Sequence, residues 1–304
     1  MKESEDRREG FTDAFTLQRD PASEKLDVGS PTQVAIEIKR VVKAFGAGLA
    51  GITHYDHRLE YVRKFSDQSL KERAPEIPNG LDYVIIVAQP LDYDWISTVP
   101  SALSGAATSL CYSHDALVVL SLAQYIRNLG YQAVASMNDT SVAVPYAIKA
   151  GLGEFGRHGL LITREFGPRV RLGKVYTNLP LAHDQPVHFG VKQFGNTCQR
   201  CAQGCPVKAI PGGPHTAEIH NQSNIIGVSK WTVNGEKCFG YWVTQNSDCA
   251  ICIRVCPYNK DYTKWQHRLG RRLAGTDLRR FMLWLDSALG YGERMKPKSW
   301  WQRD

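Results

Sequence analysis

Two cysteine runs, each ending in Cys-Pro, constrain the fold of this chain more than any other feature. Seven of its eight cysteines lie between positions 198 and 256. The first run is Cys198-x2-Cys201-x3-Cys205-Pro206. The second run is Cys249-x2-Cys252-x3-Cys256-Pro257, and Cys238 precedes it. This clustering is wrong for scattered structural disulfides and is typical of a module that folds around metal.

Twin runs of this type are typical of proteins with two iron–sulfur clusters, in which the last cysteine of each run binds the other run's cluster. Applying this exchange gives one complete set, which consists of Cys205, Cys238, Cys249 and Cys252. The second set has only three cysteines, which are Cys198, Cys201 and Cys256. We predict a [4Fe–4S] cluster at the first set. We predict a [3Fe–4S] cluster, or a [4Fe–4S] cluster with a non-thiolate ligand, at the second.

Gly195 occupies the position at which the first run would otherwise carry its first cysteine. If the three-cysteine set holds a [3Fe–4S] cluster, Gly195→Cys should convert its EPR signal to that of a [4Fe–4S] cluster. The eighth cysteine, Cys111, fills the gap only if its helix packs against this set. Its plain interpretation is a small buried thiol.

Zinc is the alternative metal, since Cys-x2-Cys pairs also build zinc ribbons. A ribbon, however, does not need an additional Cys-Pro after each pair. The twin runs therefore favour iron–sulfur clusters.

The remaining composition is that of a globular protein with room for a second domain. The chain has 304 residues, of which 43% are hydrophobic and 22% are charged. A net charge of +7 indicates a solvated surface, and no nucleic-acid partner is expected. No window has 18 consecutive apolar residues, and Arg7-Arg8 is not followed by the apolar part of an export signal. As it stands, the sequence predicts a cytoplasmic protein, or a membrane-associated or exported one if its N-terminus is truncated.

Helix and strand patterns alternate between residues 31 and 185, which predicts a layered α/β arrangement. They include a long helix from Ser101 to Leu129 and a β-hairpin formed by "LLIT" and "RVRLGKVYT". From about residue 190 the chain is rich in Cys, Gly and Pro. We predict a flexible tail, an α/β core, an iron–sulfur module and a basic, aromatic C-terminal segment that packs on the core. Their bounds are 1–30, 31–189, 190–262 and 263–304.

Two iron–sulfur clusters pass single electrons and together indicate a relay towards another group. A simple electron carrier does not need a whole α/β domain in front of its clusters. We therefore predict a redox enzyme whose reaction centre lies in the first domain.

Several segments resemble the cobalamin-dependent reductive dehalogenases. They are "GLGEFGRHGLLITREFGPRVRLGKVYTNLPL", "WTVNGEKCFGYW", "CAICIRVCPYNK" and "MLWLDSALGYG". The resemblance covers about residues 35 to 304 and implies an α+β fold. In it, a nitroreductase-like layered α/β core binds base-off cobalamin, and a bacterial ferredoxin-like two-cluster module is inserted. Respiratory members also carry a twin-arginine leader and a long N-terminal segment, so we expect a shortened member or a fragment.

The resemblance also implies a reaction and its residues. Halide is removed from an organohalide with electrons from a low-potential donor, a membrane-anchored partner being one option. The family's catalytic tyrosine matches Tyr112, its supporting basic residue Arg171 and an asparagine Asn138. Thr108, one helical turn before the tyrosine, matches a small polar pocket residue, and Trp242 matches an aromatic wall of the substrate cavity. A nearby arginine favours the phenolate of a tyrosine, which eases proton donation to the dehalogenated carbon.

Plainer interpretations stand beside these assignments. Without the resemblance, Tyr112 is an ordinary helix tyrosine and Asn138 belongs to a turn. Arg171 then belongs to a solvated row with Arg164, Arg169 and Lys174. The glycines of the loop, Gly153, Gly156 and Gly159, either approach the edge of a corrinoid or form a tight connection.

Two other functions are open from the sequence. One is an epoxyqueuosine reductase-like enzyme acting on tRNA, for which "KWQHRLGRRLAGTDLRR" is a basic helix. The other is a non-catalytic iron–sulfur electron-transfer protein.

Overall fold

A computed structural model describes residues 20–66, 71–73, 77–138, 140–221 and 224–302. The chain divides into two compact units. The first unit consists of residues 1–90, 110–152 and 171–187, and the second of residues 91–109, 153–170 and 188–304. Each unit thus collects separate stretches of chain, which differs from the linear domains predicted above. Residues 1–19 of the predicted tail lie outside the described residues.

The strands and helices are short except for one long helix. The strands are β1 (Leu49–His54), β2 (Lys64–Ser66), β3 (Lys71–Arg73), β4 (Tyr83–Pro90), β5 (Ala133–Ser136), β6 (Gly153–Phe155), β7 (Leu161–Thr163) and β8 (Val170–Thr177). The helices are α1 (Pro31–Ala44), α2 (Tyr93–Ser97), α3 (Ala102–Asn128), α4 (Ala143–Lys149), α5 (Val191–Thr197), α6 (Arg200–Gly204), α7 (Gly235–Gln245), α8 (Ile251–Arg254), α9 (Trp265–Ala274), α10 (Arg279–Ala288) and α11 (Pro297–Trp301).

A four-stranded sheet organises the first unit, in the order β1-β4-β8-β5. Strand β1 pairs antiparallel with β4, and β5 pairs antiparallel with β8. Residues 84–89 of β4 are all buried, as in a strand covered on both faces. Helix α1 begins at Ser30, whose hydroxyl accepts the N–H of Gln33, and its buried side chains join the same hydrophobic core.

Helix α3, predicted from Ser101 to Leu129, is found at Ala102–Asn128. Its buried side chains Val118, Val119, Leu122 and Ile126 belong to the core of the first unit. Among the described residues it is one helix that is long and apolar enough to cross a membrane, and half of its most apolar window is buried. Packing in a protein core accounts for this apolar character equally well.

The described part of the predicted flexible tail is held against the end of α3. The backbone N–H groups of Ala22 and Leu26 donate to the carbonyls of Arg127 and Leu129 at 2.9 and 3.1 Å. The hydroxyl of Tyr131 donates to the Leu26 carbonyl at 3.1 Å. Flexibility is therefore the wrong expectation for residues 22–26.

The predicted hairpin between "LLIT" and "RVRLGKVYT" is also wrong. Strand β7 pairs with β6, whereas β8 lies between β4 and β5 in the larger sheet. Gly153 permits the first pairing, because a Cβ there would overlap the carbonyl oxygen of Ile162. After β7 the chain turns tightly, since Thr163 and Gly167 exchange backbone hydrogen bonds. Alternating patterns predict strands but do not specify their partners.

Short helices around the cysteines make up much of the second unit. Helices α9 and α10 pack on each other, and α10 also contacts α5. Buried Asp286 on α10 accepts a hydrogen bond from Arg200 on α6 and pairs with the ammonium of Lys260 at 2.6 Å. The C-terminal segment is thereby fixed to the cysteine-bearing part of its own unit. It also contacts part of the predicted core, since the Arg294 guanidinium donates to the carbonyls of Thr98 at 3.2 Å and Pro100 at 2.6 Å.

Candidate functional site

The clustered cysteines of the second unit have neighbours that define two adjoining sets. The pKa of Cys256 is raised by burial and then by Cys198 and Cys201. The pKa of Cys238 is raised by burial and then by Cys249 and Cys205. The pKa of Cys252 is raised by burial and then by Cys201, Cys249, Cys238 and Cys205, which come from both sets, and this places the sets side by side.

Local structure directs successive cysteines of one run to different sets. Cys201 lies in the single-turn helix α6, which ends at Gly204. Cys205 then has an extended backbone with ψ of 117°, and Pro206 cannot continue the helix. The helix therefore ends between Cys201 and Cys205, so the two cysteines do not follow one another on a helix face, as ligand exchange between clusters requires.

The three-cysteine set lines a small pocket, the three-cysteine cavity. Its lining residues are Arg157, His158, Ile162, Val191, Phe194, Gly195, Cys198, Cys201, Cys256, Pro257 and Tyr258. Among the described residues, no three His, Cys, Asp or Glu side chains converge on the position of a single metal ion. Three soft sulfur donors lining one pocket fit a polynuclear iron–sulfur group.

Trp231 fills the space beside Gly195. A Cβ at position 195 would lie 2.6 Å from Cη2 and 3.0 Å from Cζ3 of the indole. The tryptophan is 1% exposed, and its indole N–H donates to the Gly213 carbonyl at 3.0 Å. Gly195→Cys by itself is therefore not expected to add a ligand, because the new side chain would overlap the buried indole of Trp231.

Arg157 contacts both Gly195 and Trp231, and the sequence analysis did not identify it. Its guanidinium donates to the carbonyls of Gly195 at 2.8 Å and Cys198 at 3.2 Å, and its Cζ lies 4.5 Å from the centroid of the Trp231 ring. Burial lowers the pKa of Arg157, while the nearby Cys201 and Cys198 oppose this effect. A positive charge beside two of the three cysteines favours their thiolate forms.

His158 is a second residue that the sequence analysis missed, although it lies within the glycine-rich segment. Its side chain lines the three-cysteine cavity, and the residue is 5% exposed. The backbone N–H of Leu160 donates to Nδ1 at 3.2 Å. Within the described parts of the chain, Nε2 has no hydrogen-bond partner. Burial lowers the pKa of His158 to about 4.

Two predicted substrate-pocket residues lie beside the four-cysteine set. The Thr108 hydroxyl donates to the carboxylate of Asp248, which directly precedes Cys249. The indole N–H of Trp242 faces Cys238; it lowers the pKa of that thiol, against the larger raising effect of burial. Both predicted residues thus belong to the second unit, whereas the predicted catalytic residues belong to the first.

Tyr112 and Arg171 are in direct contact in the first unit. The guanidinium carbon of Arg171, on β8, lies 3.4 Å from the centroid of the Tyr112 ring, on α3. Both residues are half-buried, and the tyrosine packs against the core. A cation over an aromatic face is attracted by the ring and gains strength with desolvation.

Asn138 is exposed in the loop after β5 of the first unit. Lys174 binds to both sides of this loop. Its Nζ donates to the carbonyl of Met137 and, at 3.5 Å, to the carbonyl of Ser141. Lys174 is fully buried. Placing it in a solvated row is therefore wrong.

Arg169, from the same supposed row, is 8% exposed. Its guanidinium donates to the carbonyls of Leu91 at 2.8 Å and Lys260 at 3.2 Å. The solvated row is thus wrong for both Arg169 and Lys174, since backbone carbonyls can solvate a buried cation.

Cys111 is a buried thiol of the first unit, in keeping with its plain interpretation. Its Sγ donates to the Gln89 carbonyl at 3.4 Å, and burial raises its pKa to about 12. The side-chain amide nitrogen of Gln89 is also buried and, among the described residues, has no partner. The backbone carbonyl of the same residue contacts Cys111, on the helix that carries Tyr112.

A Cβ on any of the glycines predicted to approach a cofactor would meet protein atoms. A Cβ on Gly156 would lie 2.6 Å from Cε1 of His158, and one on Gly159 would lie 3.1 Å from Cγ2 of Val233. Gly159 also has a φ of +78°. Together with Gly153 in the β6–β7 pairing, they account for a tight connection.

Comparisons with known proteins agree with this arrangement of a redox module and a separate unit. A family described as "Reductive dehalogenase subunit" matches residues 64–181, and one described as "4Fe-4S double cluster binding domain" matches residues 195–259. A tetrachloroethene reductive dehalogenase of Sulfurospirillum multivorans is 35% identical over 90% of this chain and 60% of its own length.

A solved reductive dehalogenase, described as suggesting a mechanism for B12-dependent dehalogenation, has a TM-score of 0.78 and 26% identity. That likeness covers 92% of this chain but 40% of the solved chain. An epoxyqueuosine reductase of Lactococcus garvieae is 36% identical, but over 43% of this chain. The chain thus spans about half the length of its dehalogenase relatives, and it belongs to the reductive dehalogenase family.

Proposed function

We propose that this chain is the reducing part of an organohalide dehalogenase, with Tyr112 as its proton donor. The observation that carries this proposal is the Arg171 guanidinium 3.4 Å from the centroid of the Tyr112 ring. Replacing a carbon–halogen bond by carbon–hydrogen takes two electrons and one proton and releases halide. The first unit would supply the proton, and the second unit would bring in the electrons.

Two iron–sulfur clusters are the proposed route of those electrons. Seven cysteines in two adjoining sets supply the thiolates for one complete [4Fe–4S] cluster and one three-cysteine cluster. The match to a 4Fe-4S double cluster domain over residues 195–259 supports this assignment. The clusters must receive the electrons that they pass on, so a low-potential donor is required. A membrane-anchored partner is one such donor.

The first unit is the proposed cobalamin-binding core, with the nitroreductase-like layering expected from the family. When bound base-off, cobalamin supplies the electron chemistry at cobalt. The orphaned amide nitrogen of Gln89 fits such a group, because a buried donor without a protein partner can be satisfied by a polar organic ligand. This residue lies in the same unit as Tyr112 and Arg171.

Arg171 would set the acidity and the position of the Tyr112 phenol. A guanidinium over the ring favours the negatively charged phenolate, so the hydroxyl gives up its proton more readily at neutral pH. The contact also restricts the ring to one orientation, since the Tyr112 ring lies between the guanidinium and the hydrophobic core on which it packs. Asn138 is proposed to contribute from the adjoining loop, which Lys174 supports.

Anaerobic reconstitution of the full chain with iron, sulfide and cobalamin tests this function. Iron and corrinoid content, EPR spectra and viologen-driven chloride release from tetrachloroethene are measured on wild type and Tyr112→Phe. We expect wild type to bind both cofactors and turn over, and Tyr112→Phe to keep the cofactors while turnover falls at least 100-fold, as for other general acids.

Tyr125→Phe is the matched control, because Tyr125 lies on the same helix and packs against the same core. It should retain full turnover. Uptake of zinc in place of iron, refusal of cobalamin, or full activity of Tyr112→Phe would contradict the proposal.

A further inference from the structure

We propose that His158 donates a hydrogen bond from Nε2 to a sulfur of the cluster held by Cys198, Cys201 and Cys256, and thereby raises the reduction potential of that cluster. This inference rests on the proposed binding of a cluster at the three-cysteine set. It concerns a residue whose role the cysteine motifs do not give.

The backbone fixes which ring nitrogen carries the proton. The N–H of Leu160 lies 3.2 Å from Nδ1, and a backbone N–H can only donate. Nδ1 is therefore the acceptor, and the neutral ring carries its proton on Nε2. The turn that positions Leu160 is closed by backbone hydrogen bonds of 2.9 Å from Gly156 to Leu160 and from Gly159 to Gly156.

The resulting Nε2–H group has no acceptor among the described protein atoms. The residue is 5% exposed, so water is largely excluded from it as well. It shares its cavity with Cys198, Cys201 and Cys256. A buried donor without an acceptor is unfavourable, and the sulfur atoms of a bound cluster are acceptors of suitable charge.

Donation fits this geometry better than ligation of iron by the imidazole. To bind iron, Nε2 would have to lose its proton, which would move to Nδ1. There it would meet the N–H of Leu160, another donor. Trp231 fills the space beside Gly195, so the three-cysteine set keeps three thiolate ligands. His158 is therefore a positioning and tuning residue for the cluster.

The direction of the effect follows from charge. Reduction adds a negative charge to the cluster, and a hydrogen bond to sulfur stabilises the more negative form more strongly. Loss of the bond should make reduction less favourable by about tenfold, which corresponds to ~59 mV for one electron. Arg157 contributes its positive charge in wild type and variants alike.

The test uses the reconstituted full chain and an EPR-monitored redox titration of the three-cysteine cluster. His158→Phe removes the donor and keeps a ring, and we expect its potential to fall by the amount given. His158→Gln retains an N–H donor and should stay closer to wild type. His215→Phe is the matched control, because His215 packs on Trp231 with ring centroids 3.9 Å apart and is not among the cavity-lining residues. Its potential should not change.

The outcomes separate this inference from the proposed function. If wild type takes up no iron, the clusters themselves are wrong. If both clusters form and His158→Phe has the wild-type potential, the hydrogen bond is wrong while the proposed function stands. If His158→Phe loses only the three-cysteine cluster, or if ¹⁵N-histidine gives the strong hyperfine coupling of an iron-bound nitrogen, His158 is a ligand and the inference is overturned.

Discussion

Trp231 stands against Gly195, with its Cη2 atom 2.6 Å from the position that a Cβ at residue 195 would take. The chain thus lacks the fourth cysteine of its first run and also lacks the space for one. Arg157 holds both residues, through hydrogen bonds to the Gly195 carbonyl and a position over the indole. The three-cysteine set is therefore a packed local arrangement, in which more than one residue would have to change to add a ligand.

Gly195→Cys alone should fail to convert the three-cysteine cluster. The new side chain would meet a buried indole, and overpacking of this kind costs about 1–3 kcal/mol. We expect an unchanged EPR signal and a lower thermal midpoint. Gly195→Cys combined with Trp231→Ala should give a [4Fe–4S] signal, with Trp231→Ala alone as control. A [4Fe–4S] signal from the single variant but not from wild type would show that the indole is no barrier. A [4Fe–4S] signal from wild type would show that a non-cysteine ligand completes the cluster and that the [3Fe–4S] prediction is wrong.

Arg171→Met should slow turnover about tenfold or more without loss of either cofactor. Without the guanidinium, the Tyr112 phenol holds its proton to higher pH and is a weaker acid. The alkaline limb of the rate profile should therefore move to higher pH. Arg171→Lys should recover only part of the activity, because a lysine keeps the charge but cannot stack a planar group on the ring.

Arg164→Met is the matched control for this experiment, since Arg164 is an exposed arginine of the same segment. It should leave the pH profile unchanged. Equal losses in the Arg164 and Arg171 variants would indicate a general effect of charge and would remove the basis for pairing Arg171 with Tyr112.

Local features of the sequence were sufficient for some of these elements and insufficient for others. The ends of α3 lie within one residue of the predicted ones, because apolar spacing and the stop at Gly130 are local signals. The position of Trp231 beside Gly195 is a contact between distant parts of the chain, and nothing near either residue indicates it. The same holds for Lys174, whose burial depends on carbonyls of another loop. His158 lacked any signal beyond its place in a glycine-rich segment.

Lys174→Met should destabilise the first unit and loosen the loop that carries Asn138. The substitution keeps an unbranched side chain but leaves the carbonyls of Met137 and Ser141 without this donor. A buried acceptor that loses its partner costs about 1–3 kcal/mol. We expect a lower thermal midpoint and a raised KM for the organohalide. Lys43→Met, at an exposed lysine of α1, should change neither quantity.

A rise in the midpoint of Lys174→Met would mean that burying the ammonium costs more than its hydrogen bonds return. In that case the lysine would be kept for a reason other than stability. An unchanged KM would then exclude a role in supporting the loop.

Thr108→Val should lower the reduction potential of the four-cysteine cluster. The substitution removes the hydroxyl that donates to Asp248 while keeping the shape of the side chain. The carboxylate then faces Cys249 with less of its charge compensated. It already raises the pKa of that thiol, together with the larger effects of burial and Cys205, while the backbone N–H of Ile251 lowers it. A more exposed negative charge beside a cluster disfavours its reduction. Thr244→Val is the control, because its hydroxyl donates within α7, to the Gly240 carbonyl at 2.9 Å. EPR-monitored titration and steady-state kinetics on the same preparations distinguish the two roles of Thr108. A raised KM with an unchanged reduction potential would place Thr108 in the substrate pocket, as the family resemblance implies, and would contradict a role at the cluster.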